Sequence, residues 1–221
     1  MNNQEAIHLM KEKKYEQAVQ TLTGVIEKNP QDPIGYINFG NLLIHMNDLN
    51  RALGFFEKAI ELDPQSATAY YGLGNLYYEQ KNYEQAIENF QEAIALGLDI
   101  SDVYFMLGMS LANRNHQMLA IPYLLRAIEL DPNDEEKLFQ YGLSLAKAEY
   151  LNDAKEIFEQ VIALNNKHSD AHYNLGILSL YHDKYSDALA HFKTALQFEP
   201  HHILAANGKT QVEKMLSKKK N

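Results

Sequence analysis

The sequence predicts an all-α protein made of six tandem helix pairs followed by a closing helix. Two observations support this prediction. Small residues and bulky apolar residues recur at intervals of 34 residues along nearly the whole chain. Within each interval, apolar residues also recur every three or four positions in two separate blocks, which is the pattern of two amphipathic helices. Segments that repeat with such a period stack on one another and bury a shared core.

Three sets of residues keep the same register when each repeat is numbered from position 1 to position 34. Position 8 holds Gly40, Gly74, Gly108, Gly142 and Gly176. The first repeat is two residues short, so its numbering starts at position 3 and Ala6 stands at position 8. Position 20 holds Ala18, Ala52, Ala86, Ala120, Ala154 and Ala188. Position 24 holds Leu22, Phe56, Phe90, Leu124, Phe158 and Phe192. We expect the small residues to let the two helices of a pair approach closely. The predicted repeats are 1–32, 33–66, 67–100, 101–134, 135–168 and 169–202, within a single domain that spans 1–221.

Each repeat contains two predicted helices separated by a polar break. In the third repeat they cover about Thr68–Glu79 and about Glu84–Ala95, on either side of "QKNY". Proline cannot continue a helix, and it follows the second helix in most repeats. The prolines are Pro30, Pro64, Pro132 and Pro200, and the two other slots hold Leu98 and Asn166. Pro122 falls inside the second helix of the fourth repeat, where it predicts a bend or a late helix start.

The segment after Pro200 predicts a capping helix over about residues 203–219. The last repeat of a stack exposes an apolar surface, which a helix with a polar outer side can cover. The residues that we expect to point inward are Ile203, Leu204, Val212 and Leu216.

This pattern resembles the tetratricopeptide repeat family. The third repeat carries the family's residue types at Tyr70, Leu73, Gly74, Tyr77, Ala86, Phe90 and Ala93. The resemblance extends from the N-terminus to His202, and the whole chain is similar to small free-standing six-repeat members from Gram-positive bacteria. It implies a right-handed superhelical solenoid of helix-turn-helix units with a C-terminal capping helix. It also implies a non-catalytic adaptor or scaffold, without a cofactor, that binds a peptide or helix of a partner protein.

The resemblance places the binding surface in a concave groove lined by the first helix of each repeat. Aromatic residues at position 5 offer apolar rings to a partner, and amides at positions 6 and 9 can hydrogen-bond a peptide backbone. Methionines replace these amides in the fourth repeat and adapt to irregular apolar partners. The predicted groove residues are Gln4, Asn38, Asn41, Tyr71, Gly72, Asn75, Phe105, Met106, Met109, Phe139, Gln140, Tyr173 and Asn174.

Gly72 has no side chain, and we expect it to leave a gap between Tyr71 and Asn75 that a ligand can approach. The glycines of "YYGLGNLYYEQ" lie inside a predicted helix, so they do not form a phosphate loop. The charged residues expected in the groove are Lys11, Glu79, Asp102, Glu136, Lys147 and Asp170. Their balance predicts a partner segment that is apolar or mildly basic. Position 5 holds no lysine, so the sequence lacks the carboxylate clamp with which one family subtype binds chaperone tails.

Composition narrows the possible partners. The formal net charge is −9, although residues 201–221 hold five lysines and one glutamate. An acidic surface repels the phosphates of nucleic acid, so we expect no nucleic-acid partner. The sequence shows no signal peptide, no apolar run long enough to span a membrane and no cysteine. We therefore expect a cytoplasmic protein that does not bind membranes.

Other functional classes have weaker support in the sequence. His168, His172, His201 and His202 invite comparison with a metal site, but they fall at turns and packing positions. Glu135 and Glu136 lie at a helix start, where acidic residues suit the helix dipole. These patterns favour a protein that is not an enzyme. A self-associating structural solenoid and, less favoured, an RNA-binding helical repeat stay open as alternatives, and we expect a monomer rather than a homo-oligomer.

Overall fold

The helices of this protein follow the 34-residue period of its sequence. The structure, a computed structural model, describes residues 2–218, and in that range it contains thirteen α-helices and no strand. In chain order they are α1 (Asn3–Lys11), α2 (Tyr15–Lys28), α3 (Pro33–His45), α4 (Leu49–Leu62), α5 (Ala67–Glu79), α6 (Tyr83–Ala95), α7 (Ser101–Asn113), α8 (Gln117–Leu130), α9 (Glu135–Lys147), α10 (Leu151–Leu164), α11 (Ser169–Tyr181), α12 (Tyr185–Phe198) and α13 (Ile203–Lys218). The all-α prediction is confirmed. Lys219, Lys220 and the predicted end of the capping helix at residue 219 lie outside the described residues.

Helix starts fall at fixed positions of the repeat. From α3 onward the first helices begin at position 1, and the residue before them caps their free N–H groups in several repeats. The Asp32 carboxylate accepts a hydrogen bond from the Ile34 N–H at 3.0 Å, and Asp134 accepts one from the Lys137 N–H at 3.0 Å. The second helices begin at position 17, and α8 follows this rule although it contains Pro122. The late helix start predicted from Pro122 is therefore wrong.

The turn after each first helix uses one left-handed residue at position 15. These residues are Lys13, Asn47, Lys81, Asn115, Glu149 and Asp183, with φ between 56° and 67°. The next N–H then donates to a carbonyl five residues earlier, as in the 2.8 Å bond from Asp48 N to Leu43 O. This bond closes the end of a first helix in the manner of a Schellman motif. Among the six residues, only the asparagines and the aspartate favour this conformation, so residue type alone does not predict the left-handed turn in every repeat.

The third repeat ends its second helix without a proline. Gly97 adopts φ 94°, and the Leu98 N–H donates to the Ala93 carbonyl at 3.0 Å. Glycine takes this left-handed conformation without a steric penalty. A glycine turn therefore ends α6 in the repeat where position 32 holds Leu98 instead of proline.

In four repeats the core forms where a phenylalanine at position 24 meets the glycine at position 8. Phe56, Phe90, Phe158 and Phe192 are fully buried, as are the position-20 alanines. A methyl group on Gly74 would lie 2.5 Å from Cε1 of Phe90, and one on Gly176 would lie 2.6 Å from Cε1 of Phe192. These separations are shorter than any ordinary carbon–carbon contact. The predicted close approach of the two helices at position 8 is thus confirmed in these repeats.

The chain forms two compact units, Met1–His116 and Gln117–Asn221. In the N-terminal unit, each helix of a pair packs on its partner, and successive first helices α1, α3, α5 and α7 also contact one another. In the C-terminal unit, α8 to α13 pack in sequence, and α11 also contacts α13. Within residues 2–218, none of the helices combines the length and the apolar character needed to cross a bilayer.

The capping helix α13 covers the C-terminal unit with a different side from the one expected. Val212 is buried and Leu216 packs on the same apolar cluster, as predicted. Ile203 is 74% exposed and Leu204 is 56% exposed, so their predicted inward orientation is wrong. Ala205 and Gly208 point inward instead, because Gly208 allows α13 to approach the Phe192 ring.

Replacing Gly74 with alanine should lower the free energy of unfolding by about 1–3 kcal/mol, because the new methyl group overlaps the buried Phe90 ring. Gly54→Ala is the matched control, since Gly54 lies on the exposed side of α4 with no atom within 4 Å of the added Cβ. This control should raise stability by about 0.5–1 kcal/mol through helix propensity. Urea denaturation followed by circular dichroism measures both. Equal effects of the two substitutions would contradict the packing role of Gly74.

Candidate functional site

The first helices of the N-terminal unit form one continuous surface, which we call the N-terminal face. Its residues are Gln4 of α1, Asn38 and Asn41 of α3, Tyr71 and Asn75 of α5, and Phe105, Met106 and Met109 of α7. Two side-chain bonds show that neighbouring first helices meet along this surface. The Asn38 amide donates to the Asn3 carbonyl oxygen at 2.9 Å, and the Asn113 amide donates to the Tyr78 hydroxyl at 3.2 Å.

The N-terminal face offers both amides and apolar side chains to solvent. Gln4 is exposed, and the remaining seven residues are partly exposed. On α7, Phe105, Met106 and Met109 are all partly exposed, and together they give this end of the face an apolar character. Such a surface can hydrogen-bond a peptide backbone through its amides and bury an apolar side chain beside them.

Tyr78 marks the edge of this face. Burial raises the pKa of Tyr78, and the hydrogen bond from Asn113 partly offsets that effect. Its ring packs edge-on against Tyr83, with centroids 5.5 Å apart. Tyr78 therefore stays a neutral phenol at physiological pH and holds Asn113 in place.

Four predicted groove residues belong to the C-terminal unit. Gln140 and Asn174 are partly exposed, but each amide already donates one hydrogen bond within its own helix. Gln140 donates to the Glu136 carboxylate at 2.8 Å, and Asn174 donates to the Asp170 carbonyl at 2.8 Å. Tyr173 is partly exposed, and its ring lies 5.9 Å from that of Phe192.

Phe139 is buried, with 8% of its surface exposed, so its expected exposure in a groove is wrong. Its ring lies 5.7 Å from Phe158 and 4.5 Å from His168. The same contact recurs between Tyr71 and Phe90 at 5.9 Å. An aromatic residue at position 5 thus covers the position-24 ring of its own repeat, and Phe139 lacks the polar tip that would draw it toward water.

Gly72 is also buried, and the prediction that it leaves an open gap is wrong. A Cβ on Gly72 would overlap the ring of Phe56, which belongs to the preceding repeat. Phe56 therefore fills the space that the missing side chain leaves. Gly208 makes the corresponding approach to Phe192, which indicates that glycine at position 6 serves packing between neighbouring repeats.

Four of the exposed apolar side chains of the C-terminal unit lie at groove positions of α11 and α13 and were absent from the predicted groove. They form a surface that we call the C-terminal face, made of Ile177 and Tyr181 on α11 and Leu204 and Met215 on α13, which are 39%, 72%, 56% and 44% exposed. These residues occupy groove positions 9, 13, 2 and 13 when the numbering continues into α13 as a seventh first helix. Extending the register past residue 202 was the signal that could have identified them.

Comparisons with known proteins show which family has this architecture. Models described as Tetratricopeptide repeat match residues 3–67 and 71–135, which is more than half of the chain, and another matches residues 36–99. The crystal structure of YrrB, described as a TPR protein with an unusual peptide-binding site, is 42% identical. It has a TM-score of 0.79 and covers 86% of this chain and 97% of YrrB.

This chain belongs to the tetratricopeptide repeat family. A model described as Anaphase-promoting complex, cyclosome, subunit 3 also matches residues 113–195. Pseudomonas aeruginosa PilF shares the fold at 18% identity, with a TM-score of 0.82 over 95% of each chain. MamA shares it at 23% identity, with a TM-score of 0.69 over 73% of this chain and 94% of MamA. Among the curated proteins, none matches this chain.

Membership of the tetratricopeptide repeat family fixes the general type of function. Tetratricopeptide repeats generally mediate protein–protein interaction, and proteins built from them are generally non-catalytic. The resemblance to members from Gram-positive bacteria stays a prediction.

Two histidines cap tetratricopeptide helices instead of forming a metal site. Nδ1 of His168 accepts a hydrogen bond from the Ala171 N–H at 3.2 Å, and Nδ1 of His202 accepts one from the Ala205 N–H at 3.2 Å. Nε2 of His202 then donates to the Asp170 carboxylate at 3.0 Å. In the part of the chain that the structure describes, no group of three or more histidine, aspartate or glutamate side chains could hold a metal ion.

A second pair of histidines lies between α11 and α12, where His172 is buried and His191 is partly buried. Nε2 of His172 donates to the Asn166 carbonyl at 3.1 Å, which leaves its Nδ1 as the acceptor for His191 Nδ1 at 3.5 Å. Burial and, second, the neighbouring His172 lower the pKa of His191. Asp187 and Glu159 act in the opposite direction, and Lys155 adds to the lowering. The His191 ring is therefore neutral in the folded protein at physiological pH.

Acidification should destabilise the protein through His191. The folded protein binds fewer protons than the unfolded chain at His191, so stability falls as pH drops below the unfolded histidine pKa of about 6.5. The expected slope from this group is at most about 1.4 kcal/mol per pH unit. His191→Gln should flatten the profile measured by urea denaturation between about pH 7.5 and about pH 5.5. His182→Gln, at an exposed site, is the control, and identical profiles for the two variants would contradict this role.

Phe139→Ala should lower the free energy of unfolding by about 3–5 kcal/mol, because it removes a buried ring from the Phe158 contact. Phe105→Ala removes the same group from a partly exposed site and should cost less than about 1.5 kcal/mol. Urea denaturation of both variants provides the comparison. Comparable losses would mean that Phe105 is as much a core residue as Phe139.

Proposed function

We propose that this protein is a non-catalytic adaptor that holds a segment of a partner protein against its first-helix faces. The observation that supports this proposal is the N-terminal face, where amide and apolar side chains lie at the surface of four adjacent helices. These side chains lie outside the buried contacts that phenylalanine at position 24 makes with glycine at position 8 within α3–α4 and α5–α6, and part of each one's surface is available to a partner.

The N-terminal face suits an extended or helical segment that carries apolar residues. Asn41 and Asn75 can each donate to and accept from a peptide backbone, whatever the partner's sequence. Beside them, Phe105 and Met109 provide an apolar surface for a partner side chain. YrrB, which is 42% identical, is described as having a peptide-binding site, and this supports a protein segment as the partner.

The charges around the N-terminal face favour a partner segment that is apolar or mildly basic. Glu79 and Asp102 are exposed near its apolar end, and Lys11 is exposed on α1. The net charge of −9 opposes binding to a nucleic-acid backbone, so RNA is not the partner that we propose. We further propose that the adaptor works in the cytoplasm as a monomer.

Affinity capture tests the proposal. The full chain is immobilised beside a Phe105→Ser/Met109→Ser variant, and captured proteins are identified by mass spectrometry. The partner segment, synthesised as a labelled peptide, should then bind the variant at least about tenfold more weakly, because two apolar contacts are lost. Met118→Ser/Tyr150→Ser is the control, since Met118 and Tyr150 are 58% and 43% exposed but lie outside the first helices.

Undiminished binding to the Phe105/Met109 variant would contradict the N-terminal face as the site. Light scattering across a range of concentrations separates an adaptor from a self-associating solenoid. A mass that rises with concentration, together with no peptide binding, would favour the structural alternative.

A further inference from the structure

The C-terminal face differs in chemistry from the N-terminal face. Ile177 and Tyr181 lie one helical turn apart on α11, and Leu204 and Met215 lie three turns apart on the same side of α13. Because α11 contacts α13, these side chains lie on two adjacent helices, with the exposed polar residues Asn207 and Gln211 between Leu204 and Met215. Tyr181 is the most exposed of the four apolar residues at 72%.

The far end of this face is basic. Lys214 and Lys218 are exposed in the last turns of α13, next to Met215 on the helix surface. Glu213 projects from the opposite side of α13, where it faces Lys209 at 4.0 Å. Asp183, beyond the end of α11, accepts a hydrogen bond from the Tyr185 hydroxyl at 2.7 Å. A ligand on this face would therefore meet two ammonium groups at one end, and at the other end the Asp170 carboxylate, which bonds His202 at 3.0 Å.

We propose that the C-terminal face binds an acidic amphipathic helix of a partner protein. The apolar side of that helix packs on Ile177, Tyr181, Leu204 and Met215, and its carboxylates lie near Lys214 and Lys218. A helix is the fitting shape because it presents apolar residues three and four apart, which matches the spacing of the side chains on two adjacent helices. This inference rests on the proposed function, in which first-helix faces bind protein segments.

The net charge of the protein favours a partner helix over two other occupants, an anionic membrane and a second copy of the chain. An anionic membrane would meet the lysines but would be repelled by a protein with net charge −9. A second copy of the chain carries the same net charge, so association between copies is opposed in the same way. A partner helix whose negative charge is local meets the two lysines with less of this opposition.

Two labelled peptides of about 18 residues, or five helical turns, test the proposal. They share leucines at helical spacing, but one carries glutamates and the other carries lysines on the remaining positions. Fluorescence anisotropy with the full chain should show at least about tenfold tighter binding of the acidic peptide. Its affinity should fall as salt rises from about 50 mM to about 500 mM, because the lysines are exposed.

Matched variants of the full chain locate the contact. Leu204→Ser should weaken binding of the acidic peptide about tenfold, because it removes an apolar side chain from the face. Leu119→Ser is its control, since Leu119 is 58% exposed on α8 and Leu204 is 56% exposed on α13. Lys214→Glu should also weaken binding and should reduce the salt dependence, while Lys193→Glu on α12 makes the same charge change away from the face. Circular dichroism confirms that each variant keeps its helices.

Several outcomes would overturn the proposal. Equal affinity for the two peptides, no binding of either, or the same loss for Leu119→Ser and Leu204→Ser would each do so. Binding to vesicles of phosphatidylglycerol that Leu204→Ser abolishes would assign the face to membranes. A dimer that Leu204→Ser dissociates would assign it to a second copy. If the Phe105→Ser/Met109→Ser variant lost binding of the acidic peptide and the Leu204→Ser variant kept it, the C-terminal face would not be the site. The proposed adaptor function would still stand.

Discussion

The structure depends on a phenylalanine ring that packs against glycine backbone. Phe56 contacts Gly40 in its own repeat and Gly72 in the next, so that one side chain joins two consecutive repeats. Phe192 joins Gly176 to Gly208 of the capping helix in the same way. The contact is short because glycine has no Cβ, and the ring is fully buried as a result. In a stack of repeats, stability is the sum of such contacts within repeats and between neighbours, so these phenylalanines contribute to both terms.

This packing decides which side chains are available for binding. In four repeats phenylalanine at position 24 packs on glycine at position 8, and many outer positions of the first helices stay exposed or partly exposed. The N-terminal unit uses these outer positions for amides and methionines, such as Asn75 and Met106. The C-terminal unit uses them for Tyr181 and Leu204, beside lysines of α13. One scaffold thereby carries two surfaces of different chemistry, as expected for a fold in which function lies in the site and not in the architecture.

The helices could be predicted from the sequence, because Gly74 and Phe90 belong to sets of residues that recur every 34 positions and indicate paired helices. It was insufficient where a side chain reaches beyond its own repeat. Gly72 looked open because a periodic pattern assigns residues to sides of a helix but does not show how far the Phe56 ring extends. Ile203 and Leu204 looked buried because apolar spacing leaves the rotation of α13 open, and Gly208 against Phe192 fixes that rotation. The binding roles of the face residues and the single-domain organisation stay predictions.

The left-handed turn at position 15 has a consequence for how such a chain can change in length. Each turn closes with its own backbone hydrogen bond, from the following N–H to a carbonyl five residues earlier, so it does not depend on a particular side chain. A single inserted residue inside a helix would rotate everything after it by about 100° and move glycine away from phenylalanine. A segment of 34 residues, removed or duplicated at equivalent positions, keeps every cap and turn in register. A whole repeat is therefore the unit by which this molecule can lengthen or shorten with its helix packing unchanged.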